Sequence, residues 1–281
     1  MKSSTPDCSL VITTYNWPEA LEKVLQSVAW QSILPGEVLI ADDGSNIDTT
    51  DIVKKVQDTF PVAIKHYWHE DVKKRKTRIN NIAISEAKYD YLIFIDHDII
   101  LHPKFIEDHL ALAKPGCFVN GSRFLINKQS TDMFLAKQNM TPLVLKKLRG
   151  KNNLNKMRFP SLMTYLASRY QSHDNMAHIV RGCNMAFWKN DLLAVNGYDE
   201  RYQGWGREDS DIAIRLFNNG IKKRSIKFGG IAYHLQHKEA NKADDDLYER
   251  MMTNVLETKS RWAETGLNQY FKNNSDNFQA K

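Results

Sequence analysis

The 281-residue sequence has only three cysteines, Cys8, Cys117 and Cys183, and they are not spaced like metal ligands. An odd number of widely separated cysteines is unlike a disulfide framework, so a reducing compartment is the expected setting. No apolar run is long enough to cross a membrane, and no apolar export segment follows Met1. We therefore expect a cytoplasmic protein, whose contact with a membrane would be peripheral, at the inner face.

The sequence also lacks low-complexity tracts, and no G-x-G-x-x-G loop follows its first apolar segment. The missing loop disfavours a dinucleotide cofactor and favours a nucleotide held by side chains. The composition is that of a globular protein, with 42% hydrophobic and 26% charged residues. A formal net charge of +6 favours anionic partners, but it does not distinguish nucleotide, nucleic acid and anionic membrane.

Apolar segments of strand length alternate with segments of helical periodicity through the first hundred residues. Strands are predicted over 9–13, 37–41, 62–67 and 91–95. Helices are predicted from Pro18, over 49–60 and over 76–87. This order is typical of βαβ units, and it predicts an α/β fold with a Rossmann-like, mainly parallel central sheet flanked by helices.

Acidic residues follow two of these predicted strands. Asp42 and Asp43 follow the second strand, and Asp96 and Asp98 follow the fourth. Ligands of open α/β sheets bind beyond the carboxyl ends of the strands, and carboxylates there suit the Mg²⁺ or Mn²⁺ that carries a substrate's phosphates. We predict a metal-held nucleotide diphosphate at Asp96 and Asp98. The alternative is a turn whose acids cap a helix that begins near Pro103.

Two basic stretches have an ordinary interpretation as solvated surface. Residues 73–78 contain five lysines and arginines, of which one or two could instead contact a phosphate. Residues 127–174 are rich in Lys, Arg, Asn and Met, with a basic patch over 146–158. That segment is also compatible with a mobile lid, an acceptor-binding insertion or a membrane-facing surface.

A second acidic motif, Gly-Trp-Gly-Arg-Glu-Asp-Ser-Asp, occupies residues 204–211. Its acids fall in the first turn of a predicted helix that Gly220 can end, where acids stabilise a helix without any catalytic role. The two glycines permit a close backbone approach, and the indole between them offers a flat surface to a sugar ring.

Later segments are predicted from weaker patterns. A strand is predicted over 117–125, a strand-like run covers 178–188, a further strand covers 224–228, and an amphipathic helix is expected over 245–262. His234 and His237 follow another strand-like segment. A histidine at a strand end is more often structural than a ligand, but two of them raise the expectation of a third ligand for the predicted carboxylate metal site.

In order and spacing, these motifs resemble those of inverting glycosyltransferases of family 2 with the GT-A fold, over roughly residues 8–240. The second half is similar to the galactosyltransferase-type C-terminal module of β-1,4-galactosyltransferases and of the hexosaminyl-transferring half of bacterial chondroitin polymerases. The matching segments are Ile-Thr-Thr-Tyr-Asn at 12–16, Asp-Asp-Gly-Ser at 42–45, Asp-His-Asp at 96–98 and Gly-Trp-Gly-Arg-Glu-Asp at 204–209.

The resemblance implies a role for each matched residue. Donor and nucleotide contacts are implied for Thr13, Thr14, Tyr15, Asn16, Asp42, Asp43, Arg75, Asn81, Asp96, Trp205 and Gly206. Metal ligation is implied for Asp96, Asp98 and either His237 or His234, with His237 preferred. Asp209 is implied as the general base, and Glu208 as its catalytic neighbour that contacts acceptor and donor sugar. Relatives often carry Gly-Phe where this chain has Lys73-Lys74, so its local donor contacts are expected to differ.

The implied function is transfer of GalNAc, GlcNAc or Gal from a UDP-sugar to an oligosaccharide or lipid-linked glycan, in bacterial surface polysaccharide or lipopolysaccharide synthesis, with Mn²⁺ or Mg²⁺. The implied glycosyltransferase domain covers 1–240, divided into a nucleotide-binding half over 1–100 and a donor-sugar and acceptor half over 101–240 that includes a smaller acceptor-binding part. A helical extension covers 241–281.

Three other functions are compatible with parts of the sequence. A metal-dependent nucleotidyltransferase would release pyrophosphate and usually carries a glycine-rich phosphate loop, which is missing here. A nucleic-acid-binding protein would suit the net charge, but the basic residues are not interleaved with aromatics in a known motif, so no nucleic-acid partner is expected. An inactive homologue that only binds a nucleotide sugar is disfavoured because both acidic motifs are retained.

Overall fold

The computed structural model describes residues 7–138, 140–169, 171–172, 180–204, 206–238 and 245–271. Strands and helices alternate through its first hundred residues. They are β1 (Cys8–Thr14), α1 (Pro18–Ala29), β2 (Glu37–Asp42), α2 (Ile47–Gln57), β3 (Ile64–Trp68), α3 (Lys76–Glu86) and β4 (Tyr91–Asp96). Each predicted element of this part is present, with ends displaced by a few residues.

The rest of the chain adds shorter elements. They are β5 (Ile99–Leu101), α4 (Phe105–Leu112), β6 (Cys117–Gly121), β7 (Phe124–Ile126), α5 (Lys128–Leu135), β8 (Gly150–Lys151), α6 (Pro160–Arg169), β9 (Gln171–Ser172), β10 (Met185–Trp188), α7 (Lys189–Ala194), α8 (Glu208–Asn218), β11 (Lys222–Ile226), β12 (Ala232–His234) and α9 (Asp245–Thr258). Short 3-10 helices lie at Pro142–Lys147, Asn153–Lys156, Gly182–Asn184 and Leu267–Phe271.

The main sheet has the strand order β3-β2-β1-β4-β10-β6-β11-β9. Strands β3, β2, β1 and β4 are mutually parallel, whereas β10 runs antiparallel to both of its neighbours. Alternate residues of β1 face opposite sides of this sheet: Leu10 and Ile12 pack with α1, and Val11 packs with α3. The prediction of a mainly parallel sheet flanked by helices is therefore confirmed.

A second sheet has the order β5-β12-β7-β8. The prediction of a single strand over 117–125 is wrong, because this stretch forms two strands. Strand β6 lies in the main sheet and β7 lies in the second one. Between these strands, the backbone carbonyl of Ser122 accepts a hydrogen bond of 2.8 Å from the Asn184 side chain. The chain thus crosses from one sheet to the other at this turn.

The strand predicted over 178–188 is shorter than expected. Residues 178–179 lie outside the described part of the chain, and Gly182–Asn184 form a 3-10 helix, so only Met185–Trp188 pair in the sheet. The helix has a physical cause, because the Asn184 side chain is bonded to Ser122 and Gly230 carbonyls and to His109. These bonds divert the backbone before the strand begins.

The C-terminal helix α9 ends at Thr258, earlier than the predicted 262. Its apolar side chains Tyr248, Met252 and Val255 are buried, and the helix packs on α8. The proposed boundary between a domain over 1–240 and a C-terminal extension stays a prediction. Within the described ranges, no helix has the length and apolar character needed to cross a membrane.

Candidate active site

The acidic segments after β2 and β4 lie at one edge of the main sheet. In the strand register, Thr14 of β1 is opposite Asp42 of β2, and Thr13 is opposite Asp96 of β4. The backbone N–H of His97 also donates to the Thr13 carbonyl at 2.8 Å. Parallel strands that end together therefore bring both motifs to the same edge, as expected for a ligand site in an open α/β sheet.

Asp98, His234 and His237 converge where the main sheet meets the second sheet. One carboxylate oxygen of Asp98 lies 2.9 Å from Nε2 of His237 and 3.3 Å from Nε2 of His234. One ligand atom from each residue lies within 4.8 Å of the others. Strand β12 supplies His234 and pairs with β5, which follows Asp98, so the second sheet assembles this cluster.

The charge state of the cluster suits a divalent cation. Burial raises the pKa of the Asp98 carboxyl, but the hydrogen bond to His237 and the charges of nearby histidines outweigh this effect and hold it at about 2. Burial lowers the pKa of His234, whereas the bond to Asp98 raises that of His237. The second Asp98 oxygen is buried without a hydrogen-bond partner among the described residues. One carboxylate and two imidazoles suit Mn²⁺ better than Mg²⁺, which prefers oxygen ligands.

Asp96 lies outside this cluster, and its metal ligation together with Asp98 stays a prediction. Its Oδ1 is 3.2 Å from Nζ of Lys76, which is also 3.7 Å from Oε1 of Glu208. Burial lowers the pKa of Lys76, but the charges of Asp96, Asp209 and Glu208 outweigh burial and raise it well above its usual value. Lys76 is therefore a charged link between Asp96, at the end of β4, and Glu208, at the start of α8.

Asp209 lies in the first turn of α8 and faces the 3-10 helix Gly182–Asn184. The backbone N–H of Gly182 donates to Oδ2 of Asp209 at 2.8 Å, and Oδ1 is buried without a partner among the described residues. A Cβ atom at Gly182 would lie 2.2 Å from Oδ1, so only glycine permits this approach. Burial raises the pKa of Asp209 to about 6, against the opposing charge of Lys76.

The Asp-Asp-Gly-Ser segment is a tightly bonded turn. Asp42 is fully buried, and its carboxylate accepts from Ser45 N–H at 2.8 Å and lies 2.9 Å from Nε2 of His66. Gly44 has φ +91°, and a Cβ there would lie 2.7 Å from the Asp71 backbone. Asp42 therefore supports the turn through its own bonds, and its nucleotide contact stays a prediction.

Asp43 holds the segment that precedes α3. Its carboxylate accepts from the Arg75 backbone N–H at 2.9 Å and lies 2.8 Å from Nε2 of His69. The Arg75 guanidinium donates instead to the Glu70 carbonyl at 2.5 Å. The structure thus brings Arg75 next to Asp43 through its backbone.

The residues at the end of β1 and just after it differ in their accessibility. The Thr13 hydroxyl donates to Oδ1 of Asn80, and Thr14 is buried. Tyr15 is 46% exposed and its hydroxyl donates to Asp71 at 3.1 Å. Asn16 has φ +44°, and its side chain accepts from the N–H of residue 46 at 2.8 Å. Tyr15 and Asn16 are thus exposed, and the Tyr15 ring offers an accessible face to a nucleotide base.

The remaining predicted donor residues are Asn81, Trp205 and Gly206. The Asn81 side chain is fully buried and bonded to both the N–H and the carbonyl of Tyr198 and to Glu200, and its donor contact stays a prediction. Trp205 lies outside the described residues. The N–H of Gly206 donates to Glu208 at 3.2 Å, which orients that carboxylate.

Four residues at the site were not singled out from the sequence. Lys76 and Gly182 are described above. Arg123 donates to Sγ of Cys183 at 3.3 Å, and the charges of Asp98 and Asp96 contribute to raising its pKa. The ring of Trp17 lies 5.9 Å from the rings of both His97 and His237. The only sequence signal for Lys76 was its position in the basic run over 73–78.

Comparison with known protein families gives two matches. The family described as "Glycosyl transferase family 2" matches residues 9–178. The family described as "N-terminal domain of galactosyltransferase" matches residues 164–238. The two matched ranges together contain all of the segments that form the site.

Comparison with individual proteins agrees with these families. The chondroitin synthase of Escherichia coli is 26% identical over 242 residues, covering 80% of this chain and 34% of that protein. The chain thus spans about a third of the length of this relative.

Two solved structures share the fold. S. aureus TarS in complex with UDP-GlcNAc has a TM-score of 0.64 at 15% identity, covering 94% of this chain and 69% of the other. The mannosyltransferase PcManGT from Pyrobaculum calidifontis, in complex with GDP-Man and Mn²⁺, has a TM-score of 0.55 at 16% identity, covering 92% and 74%. The architecture is that of the GT-A fold.

Proposed function

The chain belongs to glycosyl transferase family 2, and on this premise we propose that it transfers a sugar from a UDP-sugar to a hydroxyl of a glycan acceptor with inversion at the anomeric carbon. Asp209 is the general base of this reaction. The observation that carries the proposal is the state of the Asp209 carboxylate: one oxygen is held by the Gly182 N–H, and the other is left without a partner among the described residues.

The free oxygen of Asp209 is suited to accept the proton of the acceptor hydroxyl. A general base works best when its pKa lies near the operating pH, and burial has raised that of Asp209 to about 6. At neutral pH the carboxylate is therefore mostly ionised and still basic enough to take a proton. The Gly182 N–H fixes the orientation of the Asp209 carboxylate while the acceptor oxygen attacks the anomeric carbon. This attack displaces UDP from the opposite face of the sugar in one step.

The departing diphosphate belongs on the side of Asp98. Asp98, His234 and His237 are the residues that would hold a divalent ion, and their donor set favours Mn²⁺. When bound, such an ion neutralises negative charge as it develops on the UDP leaving group. The Arg123 guanidinium faces the charges of Asp96 and Asp98 and adds fixed positive charge on the same side.

Lys76 acts as a positioning residue between the two acidic motifs. Its ammonium lies between Asp96 and Glu208, and its charge also lowers the pKa of Asp209. Without it, three carboxylates would repel one another at the site. Lys76 thus places a positive charge between Asp96 and Glu208, and it prevents the pKa of Asp209 from rising further.

The proposed donor is UDP-GalNAc, UDP-GlcNAc or UDP-Gal. Two findings support this choice: the fold shared with the TarS complex that holds UDP-GlcNAc, and the relative named chondroitin synthase. The proposed nucleotide contacts are Tyr15 and the backbone after β1, Asp43 and Asp96, with Trp205, Gly206 and Glu208 near the sugar. The proposed acceptor is an oligosaccharide or a lipid-linked glycan of a bacterial surface polysaccharide or lipopolysaccharide, at the cytoplasmic face of the membrane.

The test is release of UDP from a panel of UDP-sugars, measured with Mn²⁺ and again after chelation. Release from one donor that chelation abolishes supports the proposal and identifies the sugar. Donor hydrolysis without acceptor can be slow, so UDP binding is read calorimetrically in the same samples. Absence of both release and binding would overturn the proposal, and release of pyrophosphate from a nucleoside triphosphate would point to a nucleotidyltransferase.

A further inference from the structure

Residues 133–172, here called the basic segment, contain no aspartate or glutamate. They contain eight basic residues, which are Lys137, Lys146, Lys147, Arg149, Lys151, Lys156, Arg158 and Arg169. Arg158 is committed to the fold through an ion pair of 2.7 Å with the buried Asp108. By contrast, Lys146, Lys147, Arg149 and Lys151 are exposed. A run of this length with one sign of charge creates a strong attraction for anionic surfaces.

The basic segment also exposes large apolar side chains. Of the fourteen such side chains among the described residues, six lie here: Leu143, Leu154, Met157, Phe159, Leu162 and Tyr165. Leu143 and Leu154 are 67% and 68% exposed, and Tyr165 is 61% exposed. Single exposed apolar residues are ordinary, but six within forty residues of sequence indicate a surface used for binding.

Basic and apolar groups of the segment are neighbours in space. Lys137, Met140, Leu143 and Lys147 line one shallow groove. The ammonium of Lys156 lies 4.9 Å from the centre of the Phe124 ring, on the adjacent strand β7. This mixture of Lys and Arg with Leu, Phe and Tyr is typical of segments that lie in the interface of a lipid bilayer.

We propose that the basic segment docks the protein on an anionic lipid bilayer, with the lysines and arginines at the headgroups and the exposed leucines and aromatic rings at the acyl boundary. A soluble polyanion, such as nucleic acid or an acidic glycan, would satisfy the charges but would leave the leucines in water. The bilayer is the partner that accounts for both features. Helix α9 is not assigned to this surface, because its side chains Tyr248, Met252 and Val255 are buried and the helix packs on α8, which leaves Leu247 as its one exposed large apolar side chain among the described residues.

The docking surface is connected to the candidate metal cluster by the second sheet. Lys151 of β8 is opposite Leu125 of β7, and Leu125 is opposite His234 of β12. Three residues in one row across neighbouring strands place Lys151 about 10 Å from His234. Docking would thus hold the cluster close to the headgroups, where a lipid-linked acceptor is presented. This orientation rests on the proposed function, whereas the docking itself does not.

The test is co-sedimentation of the full chain with vesicles of phosphatidylcholine alone and with 30 mol% phosphatidylglycerol added, at about 0.1 M and 0.5 M salt. Binding is expected with the anionic vesicles at low salt, and to weaken at high salt. The first variant replaces Lys146, Lys147, Arg149 and Lys151 by Gln. Each basic residue near an anionic surface contributes a factor of about five, so the four changes together are expected to weaken binding about six-hundredfold.

A second variant replaces Leu143, Leu154 and Tyr165 by Ser and keeps the charge. It is expected to weaken binding at least about fivefold, because apolar area no longer enters the interface. Matched controls are four exposed lysines elsewhere, Lys54, Lys88, Lys114 and Lys259, changed to Gln, and the double change Ile33→Ser with Leu34→Ser. Circular dichroism and UDP binding identify any variant that has failed to fold.

Loss of vesicle binding in both test variants but in neither control supports the proposal. Vesicle binding that is equal in wild type and in the folded test variants would overturn it. Binding to single-stranded DNA or heparin without binding to vesicles would also overturn it and indicate a soluble polyanion. Vesicle binding is measured without any sugar donor, so its result stands whether or not UDP release is observed.

Discussion

The backbone N–H of Gly182 holds one oxygen of the Asp209 carboxylate at 2.8 Å, while the other oxygen lies buried with no partner among the described residues. A buried carboxylate oxygen without a donor is energetically costly, and such atoms are rare in folded proteins. The arrangement is understandable if the missing donor is the hydroxyl of an acceptor. Several consequences of this geometry can be measured.

Replacing Asp209 by Asn should remove the base and keep the shape of the site. We expect transfer to fall by a factor of about 10² to 10⁴, since that is the usual contribution of general base catalysis. Binding of UDP and metal, measured by calorimetry, should be preserved. Asp51→Asn, at an exposed acid of α2, is the control. Full activity in Asp209→Asn would exclude it as the base.

Gly182→Ala should displace the carboxylate of Asp209, because the new Cβ would lie 2.2 Å from Oδ1. We expect kcat to fall at least about tenfold with little change in the KM for the donor, since the nucleotide contacts lie elsewhere. Gly116→Ala is the control: it meets no atom within 4 Å but is strained at φ +71°, so it should lower stability and leave kcat unchanged. A normal kcat in Gly182→Ala would show that the close approach is dispensable.

The pH dependence of transfer should have an acid limb near pH 6. Burial raises the pKa of Asp209 to about 6, and the base works only when ionised, so kcat should fall tenfold per unit below that pH and be constant above it. Saturating Mn²⁺ separates this effect from protonation of the histidines. An acid limb that begins below pH 5 would contradict the assignment.

The same ionisation affects stability with a defined sign. The pKa of Asp209 is higher in the folded protein than in the unfolded chain, so its contribution to stability is fully present below about pH 4 and is lost as pH rises through about 6. Asp209→Asn should therefore be stabilised relative to wild type above pH 6 and not at pH 4. Urea unfolding at the two pH values measures this difference, and an equal difference at both would refute it.

Lys76→Gln should shift the acid limb of kcat to higher pH, because the Lys76 charge lowers the pKa of Asp209. Lys76→Arg keeps the charge and should retain most of the wild-type profile. A merely structural lysine would change stability without moving the limb. An unchanged limb in a folded Lys76→Gln protein would remove Lys76 from the electrostatics of the base.

Asp98→Ala should weaken Mn²⁺-dependent UDP binding at least about tenfold, and His234→Ala and His237→Ala should act in the same direction. Binding measured in the presence of chelator should be nearly the same in wild type and variants. Asp58→Ala, at an exposed acid after α2, serves as control. Unchanged affinity in Asp98→Ala would remove it from the metal site.

The architecture was predictable because its signals are local. Strands β1, β2 and β4 are apolar runs of strand length, and helices α1, α2 and α3 lie between β1 and β4, so the order of elements predicts a parallel sheet. The division between β6 and β7 was not predictable in this way. It depends on the Asn184 side chain bonding to Ser122 from sixty-two residues away, and no local pattern carries that information.

The acidic residues of the site were predictable where they follow strands. The basic residue that faces them was not. Asp98 and Asp209 lie at the site, and both histidines that the sequence left as alternatives join Asp98. Lys76 could not be separated from the other basic residues of the run, since periodicity does not indicate which of five cations faces the acids of a helix more than a hundred residues later. The bonds of Asn81 to Tyr198 and Glu200 were not predictable, because a buried amide network leaves no pattern in the sequence.

The insertion of β10 between β4 and β6 has a consequence for the order in which the chain folds during its synthesis. When a ribosome has made the first 180 residues, β4 is complete but has no neighbour on one side, so its backbone groups are open to pairing with other chains. Gly182 and the strand that closes this gap emerge together, only a few residues apart. The nascent protein therefore loses its exposed sheet edge and gains the donor that positions Asp209 at almost the same moment.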